Sequence, residues 1–382
     1  MTLNKKKILL FADWYEPGFR AGGPIRSCVN FVNHMQHEYL VCVFTADRDF
    51  GSDQPYENIE VNKWNIVSEN VQVYYCSPDN LNWKNIRYQL LSSNADFIYL
   101  NSMFSKYFTI YPLLIRRFNK IEGKTILSPR GMLRDSAIQF KSFKKKIYLS
   151  LFRMFGFFIQ IYFHAADDIE LKDVLHYFGS SAQVAMIPNF PAVMADRPAF
   201  LEKKSGELSM IFVGRIHPIK NLGYLLFILK EIPSAVSLNI IGNLEDKSFW
   251  NDCSKIIDEL PSNVSVKYLG EVPNHQLPYV LAKHHVFILP TKGENFGHAI
   301  FEALTHGRPV IISNQTPWRN LQQINAGWDL SLKEPHLFFD AIEQAASFDQ
   351  QEYNNWSYHA WKYAHDYTMQ LDLERDYLKL FN

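Results

Sequence analysis

The sequence predicts two α/β domains in tandem, each built on a parallel sheet, and three observations lead there. The 382 residues are 47% hydrophobic and 20% charged, a globular composition with enough chain for two cores. Short apolar runs alternate with longer segments of helical period, which is typical of parallel sheets. A stretch rich in proline and charge, at 187–206, interrupts the pattern, and the alternation then starts again.

The individual elements follow from the same patterns. In the first half, apolar runs predict strands at 8–12, 39–45, 71–76, 97–101, 124–128 and 158–164. In the second half they predict strands at 209–213, 236–241, 264–269, 286–289 and 309–313. We therefore predict a Rossmann-like domain over 1–190, a linker over 191–208, a second Rossmann-like domain over 209–355, and a helical segment over 356–382 that returns to the first domain.

Composition narrows the function classes. The chain carries 39 basic and 39 acidic residues, so its net charge gives no reason to expect nucleic-acid binding. Residues 1–190 hold 22 basic against 17 acidic side chains, which makes this half the better match for an anionic surface. The four cysteines form no C-x-x-C pair, so neither a zinc site nor a disulfide framework is expected, and a reducing cytosol fits. The opening apolar run is too short for a signal sequence, and polar residues interrupt the most apolar stretch, 147–163, so no membrane span is expected.

Parallel α/β sheets bind ligands where their strands end, and two cations follow the first strand of the second half. Gly214 and Arg215 lie just past the strand at 209–213, and Lys220 lies at the entry to the next helix. Guanidinium and ammonium groups bind phosphate oxygens, and a glycine lets the backbone approach a ligand. We therefore predict a diphosphate site here that needs no metal ion.

The strand at 286–289 leads into a loop and a helix that carry two glutamates, Glu294 and Glu302. Free N–H groups at the start of a helix can hold phosphate oxygens, and carboxylates accept hydrogen bonds from sugar or ribose hydroxyls. The alternative is that Glu294 is a first-turn acid favoured by the helix dipole and that Glu302 is an exposed helix residue.

A glycine-rich turn follows the first strand of the chain. Gly22 and Gly23 precede a predicted helix with Pro24 in its first turn, where proline is favoured. The backbone amides of this turn could face a phosphate or an acceptor. The turn lacks the G-x-G-x-x-G spacing of dinucleotide-binding proteins, and a tight turn without a ligand is the alternative.

With these segments in view, the chain resembles the retaining glycosyltransferase family 4, of the bacterial polysaccharide type, over essentially its whole length. The resemblance rests on Gly214-Arg215, Lys220, the Glu294/Glu302 pair and Gly307-Arg-Pro-Val310. It implies the GT-B fold, in which two Rossmann-like domains with parallel sheets face an interdomain cleft. It also implies an amino-terminal acceptor domain and a carboxyl-terminal nucleotide-sugar domain.

The resemblance also implies roles within the second domain. Arg215 and Lys220 would bind the donor diphosphate, with Gly214 beside them. Glu302 would bind the ribose hydroxyls, and Glu294 would hold the transferred sugar. The remaining donor contacts that it implies are the backbone of Asn295, Phe296 and Gly297, and Val272 in a loop near the base.

Two motifs in the first domain resemble the same family. They are Ser128-Pro-Arg-Gly-Met-Leu133 and Phe163-His-Ala-Ala-Asp-Asp-Ile-Glu170. Arg130 stands where relatives often have histidine, and arginine is not a base near neutral pH. We therefore predict a phosphate or acceptor-anion contact for Arg130, with a structural salt bridge as the alternative. His164 is either a packed histidine or a site residue.

The resemblance implies transfer, with retention of configuration, from a UDP- or GDP-linked sugar to a hydroxyl of a glycan or lipid-linked glycan in surface polysaccharide biosynthesis. The nucleotide sugar is a co-substrate, and no metal or other cofactor is expected. Arg215, Lys220 and the helix amino terminus would stabilise charge on the departing phosphates. Two other functions stay open: a nucleotide-sugar epimerase, and a nucleotide-sugar-binding protein that has lost turnover.

A basic amphipathic helix is predicted over 140–154. One face carries the apolar side chains of Phe140, Phe143, Ile147, Leu151 and Met154, and around the rest lie Lys141, Lys145, Lys146 and Arg153. Such a helix can lie on an anionic bilayer, which favours a lipid-linked acceptor and a cytoplasmic protein peripheral at the inner face of the cell membrane. A helix packed on the core, with solvated lysines, is the alternative.

Overall fold

The computed structural model describes residues 5–119, 121–139, 142–194, 196, 200–370 and 372–382. The chain divides into two compact units. The first unit comprises Met1–Phe190 together with Asp372–Asn382, and the second comprises Pro191–Leu371. Each unit is an α/β structure on its own sheet, which confirms the predicted fold class of two parallel-sheet α/β domains.

The first unit is built on an eight-stranded sheet of order β3-β4-β2-β1-β5-β6-β7-β8, in which β3 is antiparallel to β4 and the other described strands are parallel to their neighbours. The strands are Lys7–Phe11 (β1), Leu40–Ala46 (β2), Trp64–Ser68 (β3), Val71–Cys76 (β4), Phe97–Leu100 (β5), Lys124–Leu127 (β6), Ile161–Ala165 (β7) and Gln183–Met186 (β8). The helices are Gly23–Met35 (α1), Trp83–Ser93 (α2), Tyr111–Asn119 (α3), Asp135–Gln139 (α4), Ser142–Met154 (α5) and Asp168–Phe178 (α6). The central strands are continuous apolar runs because both faces of a parallel sheet are covered.

The second unit is built on a six-stranded parallel sheet of order β11-β10-β9-β12-β13-β14. Its strands are Glu207–Val213 (β9), Ala235–Ile241 (β10), Val264–Tyr268 (β11), Val286–Leu289 (β12), Val310–Ser313 (β13) and Gly327–Leu330 (β14). Its helices are Leu222–Leu229 (α7), Lys247–Asp258 (α8), Leu277–Leu281 (α9), His298–Thr305 (α10), Pro335–Ser347 (α11) and Gln350–Gln370 (α12). A final helix, Leu373–Leu380 (α13), belongs to the first unit.

All eleven predicted strands are present, but the sequence patterns missed β3, β8 and β14. Each of the three lies at the edge of its sheet. In β3 the apolar residues Ile66 and Val67 are adjacent and largely exposed, so no alternation marks the strand. The predicted start of β7 was too early, because residues 157–160 form a single helical turn after Gly156, which has a left-handed backbone.

The carboxyl-terminal segment, 356–382, is shared between the two units and does not belong to the first alone. α12 belongs to the second unit, where the Trp356 indole stacks on Trp328 at a ring-centroid distance of 4.2 Å. Asp372–Asn382 belongs to the first unit, where the rings of Tyr377 and Phe381 pack against Phe31. The predicted return of 356–382 to the first domain is therefore wrong for the α12 part, because the aromatic and alanine face of α12 is buried in the core of the second unit.

The predicted linker, 191–208, is also shorter in the structure. Lys203 is only 4% exposed, and its ammonium donates hydrogen bonds to the carbonyl oxygens of Ala346 and Phe348 at 2.8 and 3.0 Å. Residues from Lys203 onwards are thereby attached to α11, and β9 begins at Glu207.

Each sheet contains a central point at which the order of its strands reverses. In the first unit β1 and β5 are neighbours, and the chain leaves them towards opposite edges of the sheet. In the second unit β9 and β12 stand in the same relation. Such topological switch points leave a crevice at the carboxyl ends of the two strands, where α/β proteins bind ligands.

Candidate functional site

Glycines line the strand ends beside the switch point of the second unit. Gly214, Gly242 and Gly270 follow the three neighbouring strands β9, β10 and β11, and their backbones are linked across the sheet: Gly214 N–H donates to Ile241 O and Gly242 N–H to Gly270 O, both at 2.9 Å. A Cβ on Gly242 would lie 1.9 Å from the Gly214 carbonyl oxygen, so no other residue fits there. The result is an edge where a ligand can approach the backbone. Gly242 was missed in the sequence, although a glycine directly after the strand was the available signal.

The switch point itself is bridged by an ion pair between two predicted site residues. Lys220, after β9, and Glu294, after β12, have their Nζ and Oε1 atoms 2.5 Å apart, with side-chain exposures of 16% and 12%. The aliphatic part of Lys220 runs alongside Gly214, and a Cβ on that glycine would lie 3.5 Å from it. The structure thus brings three predicted residues together at one point.

Backbone hydrogen bonds hold the loop that carries Glu294. The Lys292 N–H donates to Ile219 O at 2.7 Å, which ties the loop to the segment after β9. The Glu294 N–H donates to Gln315 O at 3.1 Å, which ties it to the segment after β13. Glu294 is therefore positioned from both sides before any ligand is present.

Arg215 has a partner that the sequence did not indicate. Its Nη1 lies 2.7 Å from the Oε2 of Glu245, in the loop after β10. The pair is partly exposed, with 35% of the Arg215 side chain accessible. Glu245 thus orients the predicted phosphate-binding guanidinium at the same sheet edge.

The predicted donor contacts Asn295, Phe296 and Gly297 differ in burial and in what they contact. Phe296 is buried, its ring contacts Trp318 edge-on, and its carbonyl oxygen accepts a hydrogen bond from the Trp318 indole at 2.7 Å. Gly297 has φ +78° and directly precedes α10. Asn295 is half-buried in the same loop. The Phe296 side chain therefore serves the core, and the predicted contact would fall to the backbone around Gly297.

Glu302 and Val272 lie near this edge. Glu302 is half-buried on α10, and its carbonyl oxygen accepts a hydrogen bond from the His306 ring at 2.7 Å. Val272 follows β11, is half-buried and packs against the core of the second unit. Both positions remain predictions for ribose and base contacts.

The glycine turn of the first unit starts α1 as predicted, with Gly22 at φ +67° and Gly23 as the first helical residue. An aspartate that the sequence did not single out holds the turn. The Asp49 carboxylate accepts hydrogen bonds from the Phe19 and Arg20 amides at 2.7 and 3.1 Å. Asp47, which gives this segment an Asp-x-Asp spacing after β2, is paired with Arg48 at 2.8 Å. Within the described residues, no cluster of three or more His, Cys, Asp or Glu side chains could hold a metal ion.

Arg130 lies in a network of neutral groups. Its guanidinium donates to the Asn101 side chain at 2.6 and 3.1 Å, to the Tyr99 hydroxyl at 3.0 Å, and to the Asn189 side chain. These partners carry no charge, so the hydrogen bonds of Arg130 do not form the salt bridge of the alternative prediction. Glu170, at the end of the second motif, accepts hydrogen bonds from the Gly131 and Ala166 amides instead.

His164 is the next member of the same network. It is completely buried, its Nε2 bonds to the Ile187 carbonyl oxygen at 2.8 Å, and its Nδ1 to the Tyr99 hydroxyl at 2.7 Å. Because a carbonyl oxygen can only accept, Nε2 carries the proton and Tyr99 donates to Nδ1. Burial, followed by the charge of Arg130, lowers the pKa of His164 to about 3. The geometry favours the packed histidine.

Asp13 is a residue that the sequence patterns did not single out. It follows β1 directly, and its Oδ1 accepts a hydrogen bond from the Ser105 hydroxyl, after β5, at 2.7 Å. Burial raises the pKa of Asp13 from 3.8 to about 6, against a smaller lowering by the Ser105 hydrogen bond. The available signal was an acid just past a central strand.

Comparison with known families identifies the second unit. Residues 194–360 match the family described as Glycosyl transferases group 1. The second unit is therefore similar to a glycosyltransferase group 1 domain. The prediction of a glycosyltransferase is confirmed at the level of this domain.

Two similar proteins have names that relate to surface polysaccharides. The chain is 29% identical over 231 residues to an uncharacterized 41.2 kDa protein in the cps region of Klebsiella pneumoniae, covering 57% of this chain and 60% of that protein. It is 31% identical over 108 residues to the O-antigen chain mannosyltransferase B of Escherichia coli, covering 28% of each. The chain thus spans less than two thirds of the length of these relatives.

Solved structures with the same fold cover nearly the whole chain. The Anabaena protein HepE, solved in complex with UDP-glucose, superposes with a TM-score of 0.68 at 14% identity, over 98% of this chain and 97% of that one. WaaG, a glycosyltransferase involved in lipopolysaccharide biosynthesis, gives a TM-score of 0.63 at 14% identity, over 98% of both chains. The predicted GT-B fold is confirmed.

Proposed function

We propose that the protein is a retaining glycosyltransferase of the family 4 type. It would transfer a sugar from a UDP- or GDP-linked donor to a hydroxyl of a glycan or lipid-linked glycan in surface polysaccharide biosynthesis. The observation that carries the proposal is the Lys220–Glu294 pair at the switch point of a group 1 domain, beside the glycine-lined strand ends. The O-antigen function in the name of one relative and the UDP-glucose in the HepE structure support the choice of substrates.

In this proposal the cations act on the leaving group. Arg215 and Lys220 bind the diphosphate and stabilise the charge that grows on it as the bond from the sugar carbon to phosphate oxygen breaks. An ammonium has three N–H donors, so Lys220 can contact a phosphate oxygen while it remains paired with the Glu294 carboxylate. The acceptor hydroxyl attacks the sugar carbon from the face that the diphosphate leaves. Its proton passes to the departing phosphate oxygen. With two cations in place, the step needs no metal ion.

The carboxylates bind hydroxyl groups in this proposal. Glu294 is fixed by the hydrogen bond from its own N–H to Gln315 and by Lys220, and it would hold the transferred sugar together with the backbone around Gly297. Glu302 would bind the ribose hydroxyls, and Val272 would lie against the base. We assign the acceptor to the first unit and the donor to the second.

The test is a transfer assay on a panel of UDP- and GDP-sugars with octyl glycosides as acceptors. We expect nucleoside diphosphate release that depends on the acceptor, and a product whose anomeric coupling in NMR matches that of the donor. Epimer formation from the donor alone would instead favour the epimerase. Donor binding without release would favour a protein that has lost turnover, and inversion of the anomeric centre would exclude the retaining mechanism.

The exposed face of α5 supports a membrane-associated acceptor. The side chains of Phe143, Leu151 and Met154 are 76%, 43% and 68% exposed, so the predicted apolar face does not pack on the core. Leu149 and Phe152 anchor the helix instead. Phe140 and Lys141 lie outside the described residues. Among the helices of the described segments, none is long and apolar enough to cross a bilayer.

Basic side chains flank this apolar face. Lys144, Lys146 and Arg153 are exposed on α5, and they would meet anionic lipid head groups while the apolar side chains enter the bilayer surface. Lys145 departs from the prediction, because its ammonium donates to the Ala137 carbonyl oxygen at 2.6 Å and lies over the Phe104 ring. We propose peripheral binding to an anionic membrane through α5.

Vesicle flotation tests this binding. Vesicles containing phosphatidylglycerol should carry the wild-type protein upwards, and the double variant Phe143→Ser, Leu151→Ser should lose most of that binding. Phe227→Ser is the matched control, since Phe227 is 64% exposed on α7 in the other unit. Equal flotation of all three proteins, or none by the wild type, would refute membrane binding through α5.

A further inference from the structure

We propose that Asp13 binds the hydroxyl groups of the acceptor sugar and that Ser105 positions its carboxylate. The inference deepens the proposed function, on which it rests for the class of ligand: a neutral sugar rather than an anion. The observation behind it is the juxtaposition of the two side chains at the switch point of the first unit.

The position follows from the sheet topology. Asp13 comes just after β1 and Ser105 comes after β5, and these are the two strands between which the strand order reverses. Their side chains meet at 2.7 Å although they are far apart in sequence. The second unit places Lys220 and Glu294 at the corresponding point. A ligand crevice is expected at both places for the same topological reason.

The hydrogen bonds of Ser105 fix the carboxylate in one orientation. The Ser105 hydroxyl donates to Asp13 Oδ1 and accepts the Phe108 N–H at 3.3 Å, so both of its roles are occupied. Ser105 is therefore a positioning residue. A carboxylate offers about four acceptor sites, and the Ser105 hydroxyl and the backbone N–H of Asp13 use two of them, so sites remain for neighbouring hydroxyls of a sugar.

The charge of Asp13 selects the chemistry of the ligand. Among the described residues, no basic side chain forms an ion pair with Asp13. A half-buried carboxylate without a cation is unfavourable for the fold, and such groups cluster at functional sites. A negative charge repels phosphate and attracts hydroxyl donors. This end of the first unit should therefore bind sugar hydroxyls and not the phosphate of a lipid-linked acceptor.

Ligand-observed NMR tests the site without requiring turnover. The probes are the methyl α-glycosides of glucose, galactose and mannose, each followed by saturation transfer from the protein. We expect at least one glycoside to bind the wild type and to lose its saturation transfer at least fivefold in Asp13→Asn. Ser105→Ala should give a smaller loss, because the carboxylate remains but is no longer fixed. Asp79→Asn, at an exposed aspartate of the same unit, is the control and should bind as the wild type does.

Two results would overturn the inference: undiminished saturation transfer in Asp13→Asn, or no binding of any of the three glycosides to the wild type. Circular dichroism of each variant shows whether it is folded, and Ser105→Ala gives an independent reading if Asp13→Asn is not. Failure of the proposed function is a separate outcome. Glycoside binding that depends on Asp13, without any nucleoside diphosphate release in the transfer assay, would keep the site and refute the transferase.

Discussion

Both switch points carry an acid, after β1 in the first unit and after β12 in the second, but the charge of the acid is balanced differently in each. In the second unit Glu294 is paired with Lys220 at 2.5 Å, so its negative charge is balanced within the protein. In the first unit Ser105 is the one side-chain hydrogen-bond donor to Asp13 among the described residues, and burial raises the pKa of Asp13 to about 6. The difference matches the ligands that we propose. Binding a diphosphate needs cations beside the acid, whereas binding a neutral acceptor sugar does not.

The largest effect is expected at the paired acid. Lys220→Met removes the cation from the leaving group and leaves Glu294 without its ion-pair partner. We expect a loss of roughly a thousandfold in kcat/KM for transfer, about 4 kcal/mol of transition-state stabilisation. Lys230→Met, which breaks the exposed Lys230–Glu259 pair, is the matched control and should keep nearly full activity. Similar rates for both variants would remove Lys220 from the mechanism.

The glycine-lined edge of the second unit gives the next effect, on stability. Gly242→Ala would place a Cβ 1.9 Å from the Gly214 carbonyl oxygen, and the backbone must move. We expect about 3 kcal/mol of destabilisation in urea unfolding, or failure to fold. Gly206→Ala has a similar need for positive φ but open space around it, so about 1 kcal/mol is expected there. Equal effects would mean that strain, and not close packing of the strand ends, requires glycine.

Because Asp13 has no ion-pair partner among the described residues, replacing it with a neutral residue should increase the stability of the fold in a pH-dependent way. Because burial raises the pKa of Asp13 from 3.8 to about 6, the folded state holds the proton more tightly, and ionisation destabilises the fold as pH rises between these values. Asp13→Asn should therefore raise the free energy of unfolding by about 2 kcal/mol at pH 8 and by little at pH 4.

Urea unfolding at the two pH values measures this difference. The neighbouring ionisable groups should not contribute to it, because burial raises the pKa of Cys28 to about 11 and Arg130 stays charged throughout. A gain of the same size at pH 4 and pH 8 would show that the charge of Asp13 is not its cause.

The smallest effect is expected at Arg130. Lysine keeps the positive charge but cannot reach Asn101 and the Tyr99 hydroxyl together. Arg130→Lys should cost about 1 kcal/mol of stability and leave nucleotide affinity unchanged, as measured by unfolding and by titration calorimetry. Weaker nucleotide binding at unchanged stability would instead return Arg130 to the role of a phosphate contact.

The sequence predicted those parts of the molecule that depend on local pattern. The central strands are apolar runs with covered faces, and they were found; β3, β8 and β14 lie at sheet edges, where a strand needs fewer apolar residues. Glu294 and Lys220 were named because the residues around each form a recognisable motif. Their pairing follows only from the order of the sheet.

Other features depended on contacts that no local pattern contains. Asp13 is one acid after one strand, and only the folding of β5 beside β1 brings Ser105 to it. The neutral partners of Arg130 come from β5 and from the segment after β8, so its environment could not be read from its own motif. The face of α5 was predicted correctly as apolar, but its exposure depends on Leu149 and Phe152 anchoring the opposite side.

We propose above all that the switch point of the second unit binds a nucleoside diphosphate sugar through Lys220. Titration calorimetry of UDP-glucose and GDP-mannose into the wild type and Lys220→Met tests it most directly, since it needs neither acceptor nor turnover. We predict saturable binding of at least one of them to the wild type and at least tenfold weaker binding to the variant. Equal affinity for the two proteins, or no binding of either nucleotide sugar to the wild type, would contradict the account.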